Sequence, residues 1–197
     1  MRSGKPSTSV ARWDRKYRDL GNLGKAYLQF GQLDRALQAT NEALTLARQY
    51  NDEEVEQLML MNLGAIYTSG DDLKQAYEVQ QQALEITRRR GDRRSESMVV
   101  GNLGILHDRV GLRQEADELH KAAVEIGKEL NDDEIIATNL VNLACLFLSE
   151  KAYPNAALLY RNSIVLFQKH GNRSYESKCL AWLGLCLPRL WRFRGCH

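Results

Sequence analysis

The sequence predicts an all-α protein, a solenoid of antiparallel helix pairs, from three observations. A short motif returns every forty residues along nearly the whole chain. Within each interval, for example over residues 73–86, apolar residues recur at steps of three and four, the spacing of one helix face. Turn-forming residues interrupt this spacing twice per interval, so each repeat should contain two helices. Roughly four and a half repeats and about nine helices are expected.

The repeated motif joins a leucine to a small residue in the first helix of each repeat. The leucine column is Leu23, Leu63, Leu103, Leu143 and Leu183, and the small column is Gly24, Gly64, Gly104, Ala144 and Gly184. A glycine in mid-helix costs roughly 1 kcal/mol relative to alanine, so keeping it indicates that two helices approach closely. The alanines of the second helix are the predicted partner surface, and the leucines should fill the core. These alanines are Ala36, Ala76, Ala116 and Ala156.

Two kinds of break separate the helices. First helices should end at Gly31, Gly70, Gly111 and Lys151, the last followed by Pro154, which suits the first turn of a helix. Second helices should end at Asn51, Gly91, Asn131 and Gly171. Asn and Gly tolerate the left-handed conformation that ends a helix, and the Asp or Asn that follows can cap the next one.

The resulting division of the chain has three parts. Residues 1–15 are a basic N-terminal lead-in, residues 16–187 hold the repeats, and residues 188–197 are an irregular tail that matches no repeat column. Repeats are expected to start near residues 16, 53, 93, 133 and 173. The fifth copy has a first helix and no second one.

Composition and charge exclude several classes of function. The net charge of +2 gives no support to a nucleic-acid partner, and no apolar run approaches the ~20 residues of a membrane span. Four cysteines without paired spacing indicate reduced thiols in a cytoplasmic protein. A metal site of Cys186, Cys196 and His197 would lack its fourth ligand. No metal and no cofactor is therefore expected.

The columns resemble the tetratricopeptide repeat, whose pattern includes Leu-Gly, a following Tyr and alanines in the second helix. The forty-residue form, with Gly-Asp near its end, is similar to repeats of the Pins/LGN spindle-orientation scaffolds and, more distantly, of kinesin light chains. The resemblance covers residues 17 to about 187. The tryptophan often found early in the first helix is replaced here by Leu20, Leu60, Val100, Leu140 and Leu180. The resemblance implies a right-handed superhelix with a peptide-binding concave groove lined by first helices.

A row of asparagines would face that groove: Asn22, Asn62, Asn102 and Asn142. An asparagine offers a donor and an acceptor, so a row of them can bind the main chain of an extended peptide. The alternative is that they make local hydrogen bonds between neighbouring helices. Four in register, each in mid-helix where Asn is a poor helix former, favour the groove. Neighbouring columns add Arg18, Lys25, Met98 and Arg109 to the candidate site.

The leading hypothesis is a non-enzymatic scaffold that binds an extended segment of a partner protein. No constellation looks catalytic, because His107 and His120 stand in columns held elsewhere by Tyr, Phe, Thr or Gln. A second hypothesis is a regulatory array belonging to a larger enzyme or signalling protein. A third is a binder of chaperone C-terminal tails, since Arg18, Asn22 and Asn62 echo the family's carboxylate clamp. Leu58, Met98 and Asn102, however, stand where that clamp would need further cations.

Two further segments draw attention. Arginines 88–90 and 93–94 could hold an anion, but a solvated helix end is favoured because the helix dipole attracts cations there. The last helix carries apolar residues on more than one side, which predicts self-association through Leu180, Trp182, Leu183 and Trp191. A purely structural, self-associating solenoid is thus a further hypothesis. A basic aromatic membrane anchor at this end is disfavoured because the segment is short.

Overall fold

The computed structural model describes the backbone of residues 8–194 and the side chains of residues 16–187. Within these residues every regular element is an α-helix, which confirms the predicted fold class. The helices are α1 (Thr8–Gln29), α2 (Leu33–Gln49), α3 (Glu53–Ser69), α4 (Leu73–Arg90), α5 (Arg93–Arg109), α6 (Arg113–Glu129), α7 (Asp133–Ser149), α8 (Tyr153–Lys169) and α9 (Arg173–Arg194).

The helices fall into two compact units, α1–α4 and α5–α9. In each unit consecutive helices pack as antiparallel pairs, and the first helices of neighbouring repeats also touch, α1 with α3 and α5 with α7. Alanines, leucines, methionines and β-branched residues fill the core of the first unit, among them Ala36, Met59 and Leu63. In the second unit, Tyr160 and Phe167 anchor a cluster that unites α7, α8 and α9.

A residue in the left-handed conformation ends every helix from α1 to α8. These residues follow one another at intervals of twenty: Gly31, Asn51, Asp71, Gly91, Gly111, Asn131, Lys151 and Gly171. At seven of these turns the next residue donates its N–H to a carbonyl five positions back, as Asp52 does to Ala47 at 2.9 Å, so the last turn is closed. The break predicted at Gly70 falls one residue later, because Gly70 has a φ of −83° and Asp71 one of 64°.

Side chains cap the first helices as predicted. The carboxylates of Asp52, Asp92 and Asp132 accept the N–H of the residue three positions on, each at 3.1 Å. Asn172 does the same at the start of α9, at 3.3 Å. Each contact satisfies one of the donors that a helix leaves open at its N-terminus.

The small column lies at close helix crossings, but of the predicted alanines only Ala36 is a neighbour, through its carbonyl oxygen, 3.4 Å from a Cβ built on Gly24. A Cβ built on Gly24, Gly64 or Gly104 would lie 2.2, 2.1 and 2.6 Å from side-chain atoms of Thr40, Gln80 and His120 respectively. These three residues stand one turn after the alanine column, in the second helix of the same repeat. The alanines themselves are fully buried. The longer side chain one turn later in the same second helix packs over the glycine.

The ends of the repeat region differ from the predicted boundaries. Helix α1 begins at Thr8, inside the predicted lead-in, and α9 continues to Arg194, so residues 188–194 are not irregular. A proline removes one backbone donor from a helix but does not always end it. Leu23 also departs from prediction, because it is 42% exposed where Leu63, Leu103 and Leu143 are buried. No described helix precedes α1 to cover it.

Candidate functional site

The four asparagines occupy equivalent positions in α1, α3, α5 and α7, but they differ in exposure. Asn22 is exposed, Asn62 is only 9% exposed, and Asn102 and Asn142 are half-buried. Among the described residues, the side chains of Asn102 and Asn142 make no hydrogen bond, and the amide nitrogen of Asn62 is buried without a partner. The local hydrogen bonds of the alternative interpretation are therefore not present at these positions.

In the second unit, helices α5, α7 and α9 enclose a cavity of about 250 Å³. Three residues of the predicted site, Met98, Asn102 and Asn142, line it together. The other lining residues are Arg94, Gly101, Glu134, Ile135, Thr138, Asn139 and Tyr175. The wall therefore combines amides and a hydroxyl with the apolar side chains of Met98 and Ile135.

Gly101 and Asn139 shape this cavity, and the sequence analysis did not select them. The Asn139 amide is 4% exposed and donates to the Ile135 carbonyl at 3.0 Å and to Ser97 Oγ at 3.4 Å. A Cβ on Gly101 would lie 2.6 Å from Asn139 Oδ1, so glycine keeps that space open. A weak signal existed in the repeat register, because Asn139 is polar where the neighbouring repeats hold Met59, Val99 and Cys179, although the first repeat holds Asp19.

The charged side chains beside the cavity pair with one another and leave one carboxylate in excess. The guanidinium of Arg94 pairs with the carboxylate of Asp132 and donates to Glu134 Oε2 at 3.3 Å. Of the residues that line the cavity, only Arg94 and Glu134 are charged. The cavity is thus suited to a neutral polar or apolar group, not to a free carboxylate.

The predicted cations do not converge on this cavity. Arg18 lies in the first unit, 3.8 Å from Glu54. Lys25 and Arg109 are exposed, in α1 and at the end of α5, and neither lines the cavity. Of the eight predicted site residues, three meet in the cavity.

The arginine cluster does not form an anion site in this structure, because carboxylates occupy it. Arg89 pairs with Glu53 at 2.8 Å, Arg90 with Glu54 at 3.5 Å, and Arg93 with Glu96 at 2.6 Å. The helix-end explanation holds for residues 88–90, in the last turn of α4. It is wrong for Arg93 and Arg94, which begin α5, where the dipole disfavours cations.

Burial shifts the pKa values of several titratable side chains in the described part of the chain. His120 is buried against Gly104, and loss of solvation lowers its pKa to about 4, although Asp117 opposes the shift. Burial raises the pKa of the Cys179 thiol to about 11, so it is not a thiolate nucleophile at neutral pH. No group of three or more His, Cys, Asp or Glu among the described residues could hold a metal ion. Cys196 and His197 lie outside the described residues.

Within the described part of the chain, none of the helices combines the length and apolar character needed to cross a membrane. Trp191, which the sequence analysis assigned to a self-association surface, has its side chain outside the described residues. The other three residues of that surface are described. Leu180 is 49% exposed, and Trp182 and Leu183 pack partly against the core of the second unit.

Comparison with protein families finds helix-repeat sequences. Residues 56–129 match a family described as tetratricopeptide repeat, and residues 16–69 match the family of anaphase-promoting complex subunit 5. A comparison with curated proteins gives no match.

Solved structures share the fold at low sequence identity. A Rap protein crystallised with Competence and Sporulation Factor superposes with a TM-score of 0.77 at 18% identity, over 90% of this chain and 53% of that one. A STAND signal-transduction ATPase with a tetratricopeptide repeat sensor, from Pyrococcus horikoshii, gives 0.72 at 17% identity, over 88% and 27%. A putative kinesin light chain from Podosopora anserina with TPR-like repeats gives 0.62 at 17%, over 89% and 96%. This chain therefore spans about a quarter of the ATPase and about half of the Rap protein.

Proposed function

This chain is a tetratricopeptide-repeat protein, and from that premise we propose that it is a non-catalytic scaffold that binds an extended segment of a partner protein. The binding face is the asparagine-bearing side of α5 and α7 in the second unit. There the segment runs past Asn102 and Asn142, whose amides bind its main chain.

The observation that carries this proposal is the pair of half-buried amides on one cavity wall. Asn102 and Asn142 line the same cavity, yet neither side chain makes a hydrogen bond within the described residues. A polar group without a partner in a partly desolvated site gains most from a ligand that supplies one. A peptide main chain presents donors and acceptors at regular spacing, which suits a row of amides.

The other lining residues indicate the chemistry of the bound segment. Met98 and Ile135 offer apolar contact, and methionine adapts its shape to different partners. Arg94 already pairs with Asp132 and Glu134, so a carboxylate on the segment would find no unpaired cation at this place. We expect a partner segment that carries an uncharged, apolar side chain between two main-chain contacts.

A selection experiment tests this proposal. A library of random extended peptides is displayed and selected on the full chain, and the affinity of selected peptides is measured for Asn102→Ala/Asn142→Ala. Each lost hydrogen bond should cost about 0.5–1.5 kcal/mol, so the double substitution should weaken binding about tenfold. Circular dichroism and the melting temperature should stay nearly unchanged, because the amides have no partner to lose.

The matched control is Asn162→Ala, which removes an exposed asparagine from α8, a second helix. It should leave affinity unchanged. If the double variant binds as tightly as the parent chain while its melting temperature falls steeply, the asparagines are structural and the proposal fails.

A second candidate function is a sensor array within a larger signalling protein. It is supported by the similarity to the repeat sensor of the STAND ATPase, of which this chain spans only 27%. An antibody against the repeat region, used on cell extracts, distinguishes a free scaffold from a sensor array within a larger protein. A band much heavier than 22.5 kDa favours the sensor array, and a band at that mass favours the free scaffold.

A further inference from the structure

Asn139 holds a hydrogen-bond acceptor that no group of the described structure uses. Its side chain is 4% exposed and lines the cavity of the second unit. The amide nitrogen donates to the Ile135 carbonyl and to Ser97 Oγ, whereas Oδ1 receives no donor from the described residues. A buried polar atom without a partner costs free energy, and a ligand that supplies the missing hydrogen bond recovers it.

The hydrogen bonds of this amide fix which of its ends faces Gly101. A backbone carbonyl can only accept, so the atom beside the Ile135 oxygen must be the nitrogen. The Ser97 hydroxyl gives its proton to the Ala123 carbonyl at 3.0 Å and therefore accepts from the same nitrogen. Oδ1 is thereby turned towards Gly101, 2.6 Å from the position that a Cβ of this residue would take. The acceptor is thus oriented before any ligand binds.

A donor lies close to the same position. The amide nitrogen of Asn142 is 3.8 Å from the place of the absent Gly101 Cβ, and this amide has no hydrogen bond to any described residue. No partner fixes it, so it can turn to meet a ligand. An oriented acceptor and an adjustable donor therefore lie within 4 Å of one point, beside a glycine that leaves room for a backbone to approach.

One residue of an extended peptide matches this pair of groups. In an extended chain the N–H and C=O of the same residue point to the same edge, as they do where two antiparallel strands exchange both hydrogen bonds. The N–H would donate to Asn139 Oδ1, and the C=O would accept from Asn142. A donor on a side chain would use Oδ1 alone and leave the neighbouring amide without a partner.

We propose that Asn139 accepts the main-chain N–H of one residue of the bound segment, and that Asn142 donates to the C=O of that residue. This inference rests on the proposed function, because it concerns the segment bound at the same site. It makes Asn139 a specificity-determining residue. Proline is excluded from the position, since it has no N–H.

Amide-to-ester replacement tests the proposal, because it exchanges one main-chain N–H for oxygen and keeps every side chain. The probes are peptides selected by display on the full chain, remade with a single ester at each position in turn. At one position the ester should weaken binding to the parent chain about tenfold, and the selected sequences should contain no proline there.

Two variants connect that position to Asn139. Asn139→Val and Asn139→Met install the residues that α5 and α3 bury at the equivalent position, Val99 and Met59, so the fold accommodates both side chains. Each variant should bind the amide peptide about tenfold more weakly than the parent chain does, and the ester at that position should cause no further loss. Circular dichroism identifies the variants that are folded.

Ser163→Ala is the matched control, because it removes a fully buried hydroxyl from α8 in the same unit, outside the cavity. It should leave the affinities of the amide and ester peptides unchanged. A purely structural role of Asn139 would weaken both peptides by the same factor, and an unchanged ratio between them would overturn the proposal.

The outcome also separates this proposal from the one on which it rests. Peptides that need Asn102 and Asn142 but tolerate an ester at every position would overturn the role of Asn139 alone. Water or a side-chain donor would then satisfy Oδ1, and the scaffold function would stand. A chain that selects no peptide at all would overturn both proposals.

Discussion

At the scale of single residues, the small column shows how one missing Cβ sets the distance between two helices. The ring of His120, which is 2% exposed, lies where a side chain at 104 would begin. A buried ring cannot move aside as the end of a flexible exposed side chain could. Substitution of either Gly104 or His120 is therefore expected to lower the stability of the protein.

Gly104→Ala should lower the free energy of unfolding by about 1–3 kcal/mol, because the added methyl group overpacks the crossing. Gly184→Ala is the matched comparison, since it meets no atom within 4 Å. Alanine is a better helix former than glycine by roughly 0.5–1 kcal/mol, so Gly184→Ala should raise stability. Urea unfolding at low protein concentration measures both. Equal effects of the two substitutions would show that the small column has no packing role.

His120 should make stability depend on pH. Its pKa is about 4 in the folded protein against 6.5 when exposed, so below pH 6.5 the unfolded chain binds a proton that the folded chain does not. The free energy of unfolding should fall by up to about 3 kcal/mol as the pH decreases from 6.5 to 4.

His120→Gln should flatten this part of the pH profile, because Gln80 already occupies the equivalent position and glutamine does not titrate. Chemical unfolding at a series of pH values measures the slope in both proteins. An identical slope would assign the pH dependence to other groups.

At the scale of elements, the turns repeat every twenty residues while their capping side chains do not. Each described first helix from α3 onward begins with an Asp or Asn cap. Among second helices, α4 has a cap from Asp72 to the Gln75 N–H at 3.1 Å, whereas α2, α6 and α8 have no side-chain cap. Gln32, Leu112 and Ala152 stand at the corresponding positions. Helices α2, α6 and α8 therefore lack the N-terminal capping hydrogen bond that α4 has.

Leu112→Asp should stabilise the protein by about 0.5–1.5 kcal/mol, because an acceptor at this position satisfies a free N–H of α6. Leu112 is 45% exposed, so little packing is lost. Thermal unfolding compares it with Leu112→Ala, which removes the same leucine without adding an acceptor. If both substitutions change the melting temperature equally, the new carboxylate does not cap the helix.

Ion pairs join the starts of α3, α5 and α7 to the end of the second helix in the same repeat, and their polarity is not constant. The pairs are Glu53 with Arg89, Arg93 with Glu129, and Asp133 with Lys169. The middle pair has the opposite sign to the other two. A column that alternates in charge gives no consistent sequence signal, so the carboxylates that pair with the arginine cluster could not be identified from the repeat register. Because these pairs are exposed to solvent, each contributes little to stability.

At the scale of the whole molecule, repeated helix pairs distribute stability along the chain as repeat terms and nearest-neighbour interfaces. A destabilising change should then act mostly near its own repeat. Gly104→Ala should speed amide hydrogen exchange most in α5 and α6, less in α7, and least in α1 and α2. Mass spectrometry of exchanged, digested protein measures this gradient. Uniform acceleration in all helices would show one fully cooperative unit instead.

Much of this architecture could be predicted because it depends on local chemistry. Spacings of three and four place apolar residues on one face, Gly and Asn end helices, and the following Asp or Asn caps the next helix, all within a few residues of sequence. The binding face is predictable only in part. Asn102, Asn142 and Met98 share a cavity, but Asn62 is buried and Arg109 lies elsewhere, because exposure depends on how neighbouring helices cover each position.

The sequence by itself determined the repeat, the order of helices and turns, and the caps of the first helices, since these follow from short-range periodicity and backbone preferences. Only the tertiary structure decided which residue meets each glycine, that Gly101 and Asn139 shape the cavity, and that α9 keeps an uncovered face. These contacts join residues in different helices, sixteen to forty positions apart. The distances of these contacts depend on how the helices cross and on side-chain length. Neither can be inferred from a residue's position in its own helix.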